Sequence, residues 1–278
     1  MKIKIVTDSV CDLPAEVAKE YDISVVPVYI NIDGQSFLDG IDLPRSEYYA
    51  RLPGYTVSPT TSAPGPAAFV QAYEQAAADG AEAVISIHVA ETVSATINAV
   101  RVARDMFSKI PVWVVDSGQL SLGIGFQAIA AARGALSGNS IDQILDTLQD
   151  LRKRTYVYAA IDTLEYLRRS GRLSRYKAKL GAMVKLKPIL SFYDGKLAME
   201  MAITTSRAIH RICDLTAKLA PLQQLSFVHV LGHPLVKELQ RLTSHLAPEN
   251  ENAMVREVTP AIGTHIGPGA AGVVLVSS

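Results

Sequence analysis

Short apolar runs of strand length alternate with helical stretches through the first half of this chain, and that alternation limits its folds more than any other feature. Strands are predicted over residues 3–8, 23–32, 83–89 and 112–115, and helices over 14–21, 64–79, 94–107 and 121–136. The run at 3–8 ends in Asp8-Ser9 and the one at 112–115 in Asp116-Ser117. Apolar runs without polar alternation suit strands covered on both faces, so the pattern predicts an α/β domain with a parallel sheet flanked by helices. Ile141, Ile144, Leu145, Leu148 and Leu151 then give a helical stripe that ends near Arg154. Beyond it the pattern changes to a strand at 156–161 and a hairpin at 188–192 and 196–201 around Asp194-Gly195. A helix at 206–220, a strand at 226–231, a helix at 234–246 and strands at 254–258 and 273–276 follow. We therefore expect two α/β domains, 1–150 and 151–278, the second with a mixed sheet.

Composition agrees. The 278 residues are 49% hydrophobic and 19% charged, a balance that supports packed cores and excludes a disordered chain. Two distant cysteines, Cys11 and Cys213, argue against a disulfide framework. Met1-Lys2-Ile3-Lys4-Ile5-Val6 enters a strand directly, without a signal peptide, and no apolar run reaches transmembrane length, so a soluble cytoplasmic protein is expected. Zero net charge hides an asymmetry: residues 1–155 hold 12 Lys+Arg against 18 Asp+Glu, and residues 156–278 hold 15 against 9. From Tyr166 to Tyr193 there are eight basic residues and no acid, including Arg168, Arg169, Arg172, Arg175, Lys177, Lys179, Lys185 and Lys187. Such a block is either a solvated face or a surface for an acidic partner or phosphate. A neutral pI and the lack of a basic-aromatic motif argue against nucleic acid.

Pro59-Thr60-Thr61-Ser62-Ala63-Pro64-Gly65-Pro66 places three hydroxyls before an alanine-rich helix. Prolines suit a first helical turn, so Thr61 or Ser62 is expected near the N-cap, where free N–H groups either are simply capped or hold an anion. Asp8-Ser9, His88 and Asp116-Ser117 fall at strand ends, the edge where open parallel sheets bind ligands. Thr61, Ser62 and Ser94 are expected in loops and helix starts on that edge, with Ser94 as an N-cap. Ser-His-Asp hydrolysis lacks a Gly-x-Ser-x-Gly elbow, and Gly123-Ile124-Gly125-Phe126-Gln127-Ala128 lacks the acidic ribose ligand of a dinucleotide site. The six histidines show no metal-ligand spacing, so no metal is expected, and His88, His210, His229, His233 and His245 read as packing or surface residues. His265 differs. It lies in Gly263-Thr264-His265-Ile266-Gly267-Pro268-Gly269-Ala270, which reads as a glycine-rich loop, either an exposed turn or one able to bring a histidine donor to an anion.

Together these segments resemble the DegV family of fatty-acid-binding proteins. The resemblance rests on Val6-Thr7-Asp8-Ser9, Pro59-Thr60-Thr61-Ser62-Ala63-Pro64, Ile85-Ser86-Ile87-His88, Ser94, Thr96 and Asp116-Ser117. The second half adds Leu164-Glu165-Tyr166-Leu167-Arg168-Arg169-Ser170-Gly171-Arg172-Leu173-Ser174, Lys187-Pro188-Ile189-Leu190 and the His265 segment, so the match spans nearly the whole chain in one order. It implies two α/β domains, an apolar tunnel for a long acyl chain such as palmitate, and a carboxylate held by Thr61, Ser62, Ser94 and His265. Ser9, Thr96, Asp116, Ser117 and Thr264 are implied as their supports. It further implies a non-catalytic bacterial protein without a cofactor, belonging to phospholipid metabolism, whose ligand is presented to an ATP-using fatty acid kinase subunit that makes acyl phosphate. Arg172, Arg169 and Arg207 are then docking residues, and transient membrane contact fits the same role. Two departures stand out: the family's Ser-Gly-Thr is Ser94-Ala95-Thr96 here, and its Arg-Thr-Arg-like run before a helix is Ile203-Thr204-Thr205-Ser206-Arg207.

Physical chemistry is consistent with that implication. A carboxylate leaving water needs several donors, which hydroxyls and a histidine supply. Each buried CH₂ contributes about 0.8 kcal/mol, so a chain of about sixteen carbons gains on the order of 10 kcal/mol before entropic costs. The alternatives are a stand-alone small-molecule phosphotransferase or hydrolase using Ser94 and His265, and a regulatory module for a soluble metabolite.

Overall fold

The computed structural model describes residues 1–172, 186–248 and 253–278. Arg175, Lys177, Lys179 and Lys185 of the basic run, with Leu173 and Ser174, lie outside the described residues. The chain forms two compact units. The first comprises Met1–Tyr29, Ser62–Lys153 and Asp194–Lys196, and the second Ile30–Thr61, Arg154–Tyr193 and Leu197–Ser278.

The chain opens with β1 (Ile3–Asp8), α1 (Ala15–Glu20) and β2 (Ile23–Val26). Pro27 and Val28 interrupt the strand expected over 23–32, because proline brings no N–H to a ladder. The chain resumes as β3 (Tyr29–Ile32), β4 (Gln35–Leu38), α2 (Arg45–Arg51) and β5 (Thr60–Ser62), which form the small sheet β4-β3-β5 and its helix. A division at 150 would leave residues 30–61 with the first domain, but they cluster with the second. The reason is visible in α2. Tyr48 and Tyr49 are fully buried, and their hydroxyls bond to Thr264 (2.6 Å) and the Val258 carbonyl (2.8 Å) of the second unit.

Next come α3 (Pro66–Ala78), β6 (Ala83–His88), α4 (Thr96–Met106), β7 (Val112–Asp116), α5 (Leu122–Leu136) and α6 (Ile141–Arg154). The sheet is parallel with order β2-β1-β6-β7. Its two faces follow the alternation of each strand. Ile5, Ile85 and Ile87 pack with Ile124, Ala128, Ile144 and Leu148. Val6 and Val84 pack with Phe69, Tyr73 and Val100. The glycines at 123 and 125 are packing glycines: a Cβ at Gly125 would lie 2.9 Å from the Cys11 carbonyl oxygen.

The remainder comprises β8 (Thr155–Ala160), α7 (Glu165–Arg169), β9 (Lys187–Tyr193), β10 (Lys196–Ala202), α8 (Thr205–Ala217), β11 (Leu222–His229), α9 (His233–Thr243), β12 (Val255–Glu257), α10 (Pro260–Ile266) and β13 (Ala271–Ser277). Six strands form a mixed sheet of order β10-β9-β8-β13-β11-β12. Asp194 and Gly195, at φ 45° and 72°, make the hairpin turn between β9 and β10. One face of this sheet packs Tyr158, Phe227, Val273 and Leu275 against Ile209 and Ile212 of α8 and Val236 and Leu239 of α9. No described helix is long and apolar enough to cross a membrane.

Candidate functional site

Two of the expected head-group residues meet in the second unit: Thr61 Oγ1 lies 3.0 Å from His265 Nε2. Thr61 is not near a helix cap. Thr60–Ser62 is strand β5, and α3 starts at Pro66 behind Gly65 without a side-chain cap. Hydrogen bonding along the small sheet prevails over the local capping signal, so Thr61 is presented from an extended backbone. His265 is likewise not in a loop. It occupies the last turn of α10, which begins at Pro260 and is stopped by Gly267 at φ 74°.

Close packing explains why a glycine-rich stretch folds as a helix here. A Cβ at Gly263 would stand 2.1 Å from the Tyr49 hydroxyl oxygen, so only glycine lets α10 approach α2 this closely. Thr264 Oγ donates to the Pro260 carbonyl (2.6 Å) and accepts from the Tyr48 hydroxyl, whose ionisation burial pushes up. Thr264 thus ties the helix that carries His265 to α2. A cleft next to it is lined by Leu52, Tyr55, Pro59, Tyr166, Arg169 and Thr264.

The electrostatics of His265 set its chemistry. Burial, followed by the nearby Arg172 cation, pushes its pKa down to about 3, so the imidazole is neutral at neutral pH. Nδ1 is buried without a hydrogen-bond partner. A neutral imidazole offers one donor and one acceptor. If Nε2 accepts from Thr61, Nδ1 carries a proton that no described residue receives. Arg172 is exposed, and its Nη1 donates to the Ser170 carbonyl (2.6 Å). Arg169 is tied to Glu165 at 2.6 Å and touches Ser58 at 3.3 Å. Arg168, then Arg169, pull Glu165 down to about 2. Arg207 is exposed in the first turn of α8, where Thr204 caps the helix by accepting from the Arg207 N–H (3.2 Å), which gives the departing Ile203-Thr204-Thr205 run a local role.

The other expected residues belong to the first unit. Ser62 ends β5 and is exposed. Ser94 is not the N-cap, since α4 begins at Thr96 after Ala95. Its Oγ accepts from the Thr96 N–H (3.2 Å) and shares a hydrogen bond with Thr96 Oγ1 (2.9 Å). Ala95 sits at φ −81°, so alanine takes the place of glycine without strain. Ser9, Asp116 and Ser117 hold loops. Ser9 Oγ accepts from the Val28 N–H (3.1 Å), Asp116 from those of Gly118 (3.0 Å) and Glu91 (3.3 Å), and Ser117 from that of Gln119 (3.1 Å).

Sequence reasoning missed a buried network in the first unit. Asp8 Oδ2 accepts from His88 Nδ1 (2.9 Å), Ser86 Oγ lies 2.7 Å from His88 Nε2, and the Tyr73 hydroxyl lies 2.8 Å from Ser86. Distances alone spell a Ser-His-Asp triad, but all three residues are fully buried and Ser86 already has two partners. Its signal in the sequence was the period of two shared by Ser86 and His88, which puts both on one face of β6. Asp8 also accepts from the N–H groups of Val89 and Val10 (both 3.1 Å), so the network binds β1 and β6 to the loops that follow them.

Comparison with known proteins gives one answer. A family model described as "Uncharacterised protein, DegV family" matches residues 2–278. A DegV domain-containing protein of Caldanaerobacter subterraneus is 35% identical over 277 residues, covering 98% of both chains. One from Mycobacterium tuberculosis is 33% identical over 279 residues, covering 98% of this chain and 96% of its own. Among solved structures, a Thermus thermophilus DegV family protein described for fatty acid binding superposes with TM-score 0.91 at 31% identity over the full length of both chains. The Bacillus subtilis DegV, described as a fatty acid binding protein, gives 0.88 at 30%, also over the full length of both. With its parallel four-stranded sheet, its mixed second sheet and a family match from residue 2 to residue 278, the chain belongs to the DegV family.

Proposed function

We propose that this protein binds a long-chain fatty acid and holds its carboxylate at His265 and Thr61, without turning it over. The observation that carries the reading is the half-buried, neutral His265, whose buried Nδ1 has no partner among the described residues while Nε2 faces Thr61. An anionic oxygen placed at Nδ1 would accept the proton that is otherwise unmatched. The fatty acids bound by structural relatives at 30–31% identity support that choice of anion. The first-unit hydroxyls Ser62 and Ser94 keep the part the family resemblance implies for them, each to be tested by its own alanine variant. A hydrolase or phosphotransferase built on Ser94 and His265 finds no support in their bonding, because Thr96 engages Ser94 and Thr61 engages His265.

Native mass spectrometry of the purified protein tests this reading. A co-purifying fatty acid, or uptake of added palmitate or oleate at one per chain, is expected. His265→Ala should weaken uptake at least 10-fold, a loss of about 1.4 kcal/mol. A protein that stays lipid-free and ignores both acids refutes the proposal.

The finer part of the proposal is that the bound carboxylate is presented to a separate ATP-using kinase subunit. The one-signed basic run from Tyr166 to Tyr193 and the exposed Arg169, Arg172 and Arg207 support a docking surface for an acidic partner.

A further inference from the structure

At one end of the second unit's mixed sheet, β11 closes on His229 and β12 on Glu257, and the parallel register pairs these two residues directly. Four positions after His229 the chain has already entered α9, whose first residue is His233. The turn between them is forced. Leu231 adopts a left-handed backbone, φ 51°, unusual for a branched residue, and Gly232 lies where a Cβ would come within 2.5 Å of the Ala270 carbonyl oxygen. This strained turn sets the two imidazoles 4.2 Å apart, centroid to centroid. One ligand atom from each of His229, His233 and Glu257 lies within 4.8 Å of the other two.

His229 is only 3% exposed, and its buried Nδ1 has no hydrogen-bond partner among the described residues. A buried polar atom left unmatched marks a place where something else binds or where free energy is lost. The strand end is fixed from a second side, because the Arg45 guanidinium donates to the Glu257 carbonyl oxygen. Among the described residues, the Glu257 carboxylate takes a long contact of 3.4 Å from the Leu231 N–H.

We propose that His229, His233 and Glu257 form a binding site for one divalent transition-metal cation of the zinc type. Two imidazoles and a carboxylate are a donor set for zinc and its neighbours, whereas calcium and magnesium favour all-oxygen shells. Bonds of about 2.1 Å in a tetrahedron put ligand atoms about 3.4 Å apart. Small rotations of the exposed His233 and the half-buried Glu257 bring them to that spacing around the buried His229. Three protein ligands leave a fourth position for water or a small anion. The bound cation would tie the start of α9 to the three-residue strand β12. Spacing along the chain hides the site, because Glu257 arrives from a later strand.

Chelator-stripped full-length protein titrated with CoCl₂, with ZnCl₂ as competitor, tests this. One equivalent of Co²⁺ should bind with a dissociation constant of about 10 µM or tighter and show visible absorption bands that Zn²⁺ abolishes. His233→Ala and Glu257→Gln should each weaken binding at least 10-fold. His210→Ala, at an exposed histidine of α8, should leave it unchanged. Absence of saturable one-to-one binding overturns the proposal. So does parent-like affinity in both His233→Ala and Glu257→Gln, or an equal loss in His210→Ala. Both diagnostic substitutions fall outside the core, so the result does not depend on whether His229→Ala folds.

Discussion

His265 is kept uncharged by its surroundings, and this makes its contribution depend on pH in a definite direction. Its folded pKa of about 3 lies below the ordinary 6.5. The unfolded chain therefore binds the proton more readily, and stability attributable to this residue is present above pH 6.5 and is lost as pH falls towards 3. Melting temperatures of the parent and His265→Gln from pH 7.5 to 4 should converge as the medium is acidified; a constant gap would refute this. Bound carboxylate acts in the opposite sense and should raise the His265 pKa, visible in its ring proton shifts when oleate is added. For Thr61 the relevant property is the hydroxyl. Thr61→Val should weaken fatty acid binding several-fold, from about 1 kcal/mol for one hydrogen bond, and Thr61→Ser should restore it. Equal affinities in isothermal titration would remove the hydroxyl from the site.

Elements were legible where the periodicity was their own. The strands of the parallel sheet and helices α4, α5 and α6 can be read from runs and stripes, since each buries what its pattern shows. Elements created by neighbours were not. The α10 segment has two glycines and a proline beside His265 and so reads as a loop; it is helical because Tyr49 packs where a Gly263 side chain would be. Thr60–Ser62 looks like the approach to a cap and is instead the edge of a three-stranded sheet. Among the candidate residues, Thr61 and His265 were identifiable by type, but their 3.0 Å contact joins residues 204 apart in the chain, beyond the reach of spacing. The α2–α10 contact also sets an expectation for this scale. Gly263→Ala must displace a tyrosine that is fully buried, at about 1–3 kcal/mol. Urea unfolding should show that loss, together with weakened oleate binding, because the same helix holds His265. Unaltered stability and affinity would show that α10 is not held by this contact.

In the whole molecule, the chain passes from the first unit to the second between Lys153 and Arg154. It also visits the second unit earlier, through residues 30–61, which no shift in composition announces. The acidic and basic halves of the sequence are therefore not the two folded units. Docking belongs to this scale too. Arg172→Ala should lower acyl phosphate formation with an ATP-using partner at least 10-fold while changing fatty acid affinity by no more than about threefold, since an exposed charge acts on a buried head group through screening solvent. Equal rates of acyl phosphate formation would take Arg172 out of the docking surface.

The Ser86–His88–Asp8 chain has a consequence for anyone sorting proteins by side-chain geometry. A search for nucleophile, base and acid at hydrogen-bonding distances would file this molecule among the serine hydrolases. Yet the oxygen that would attack is sealed beneath Tyr73, whose phenol burial pushes up to about 12, with Phe69 edge-on to the imidazole. A fluorophosphonate reagent should leave the native protein unlabelled and mark Ser86 only if the sheet opens. The same three side chains that cut esters elsewhere serve here as mortar, and what separates the two trades is whether a substrate can get in.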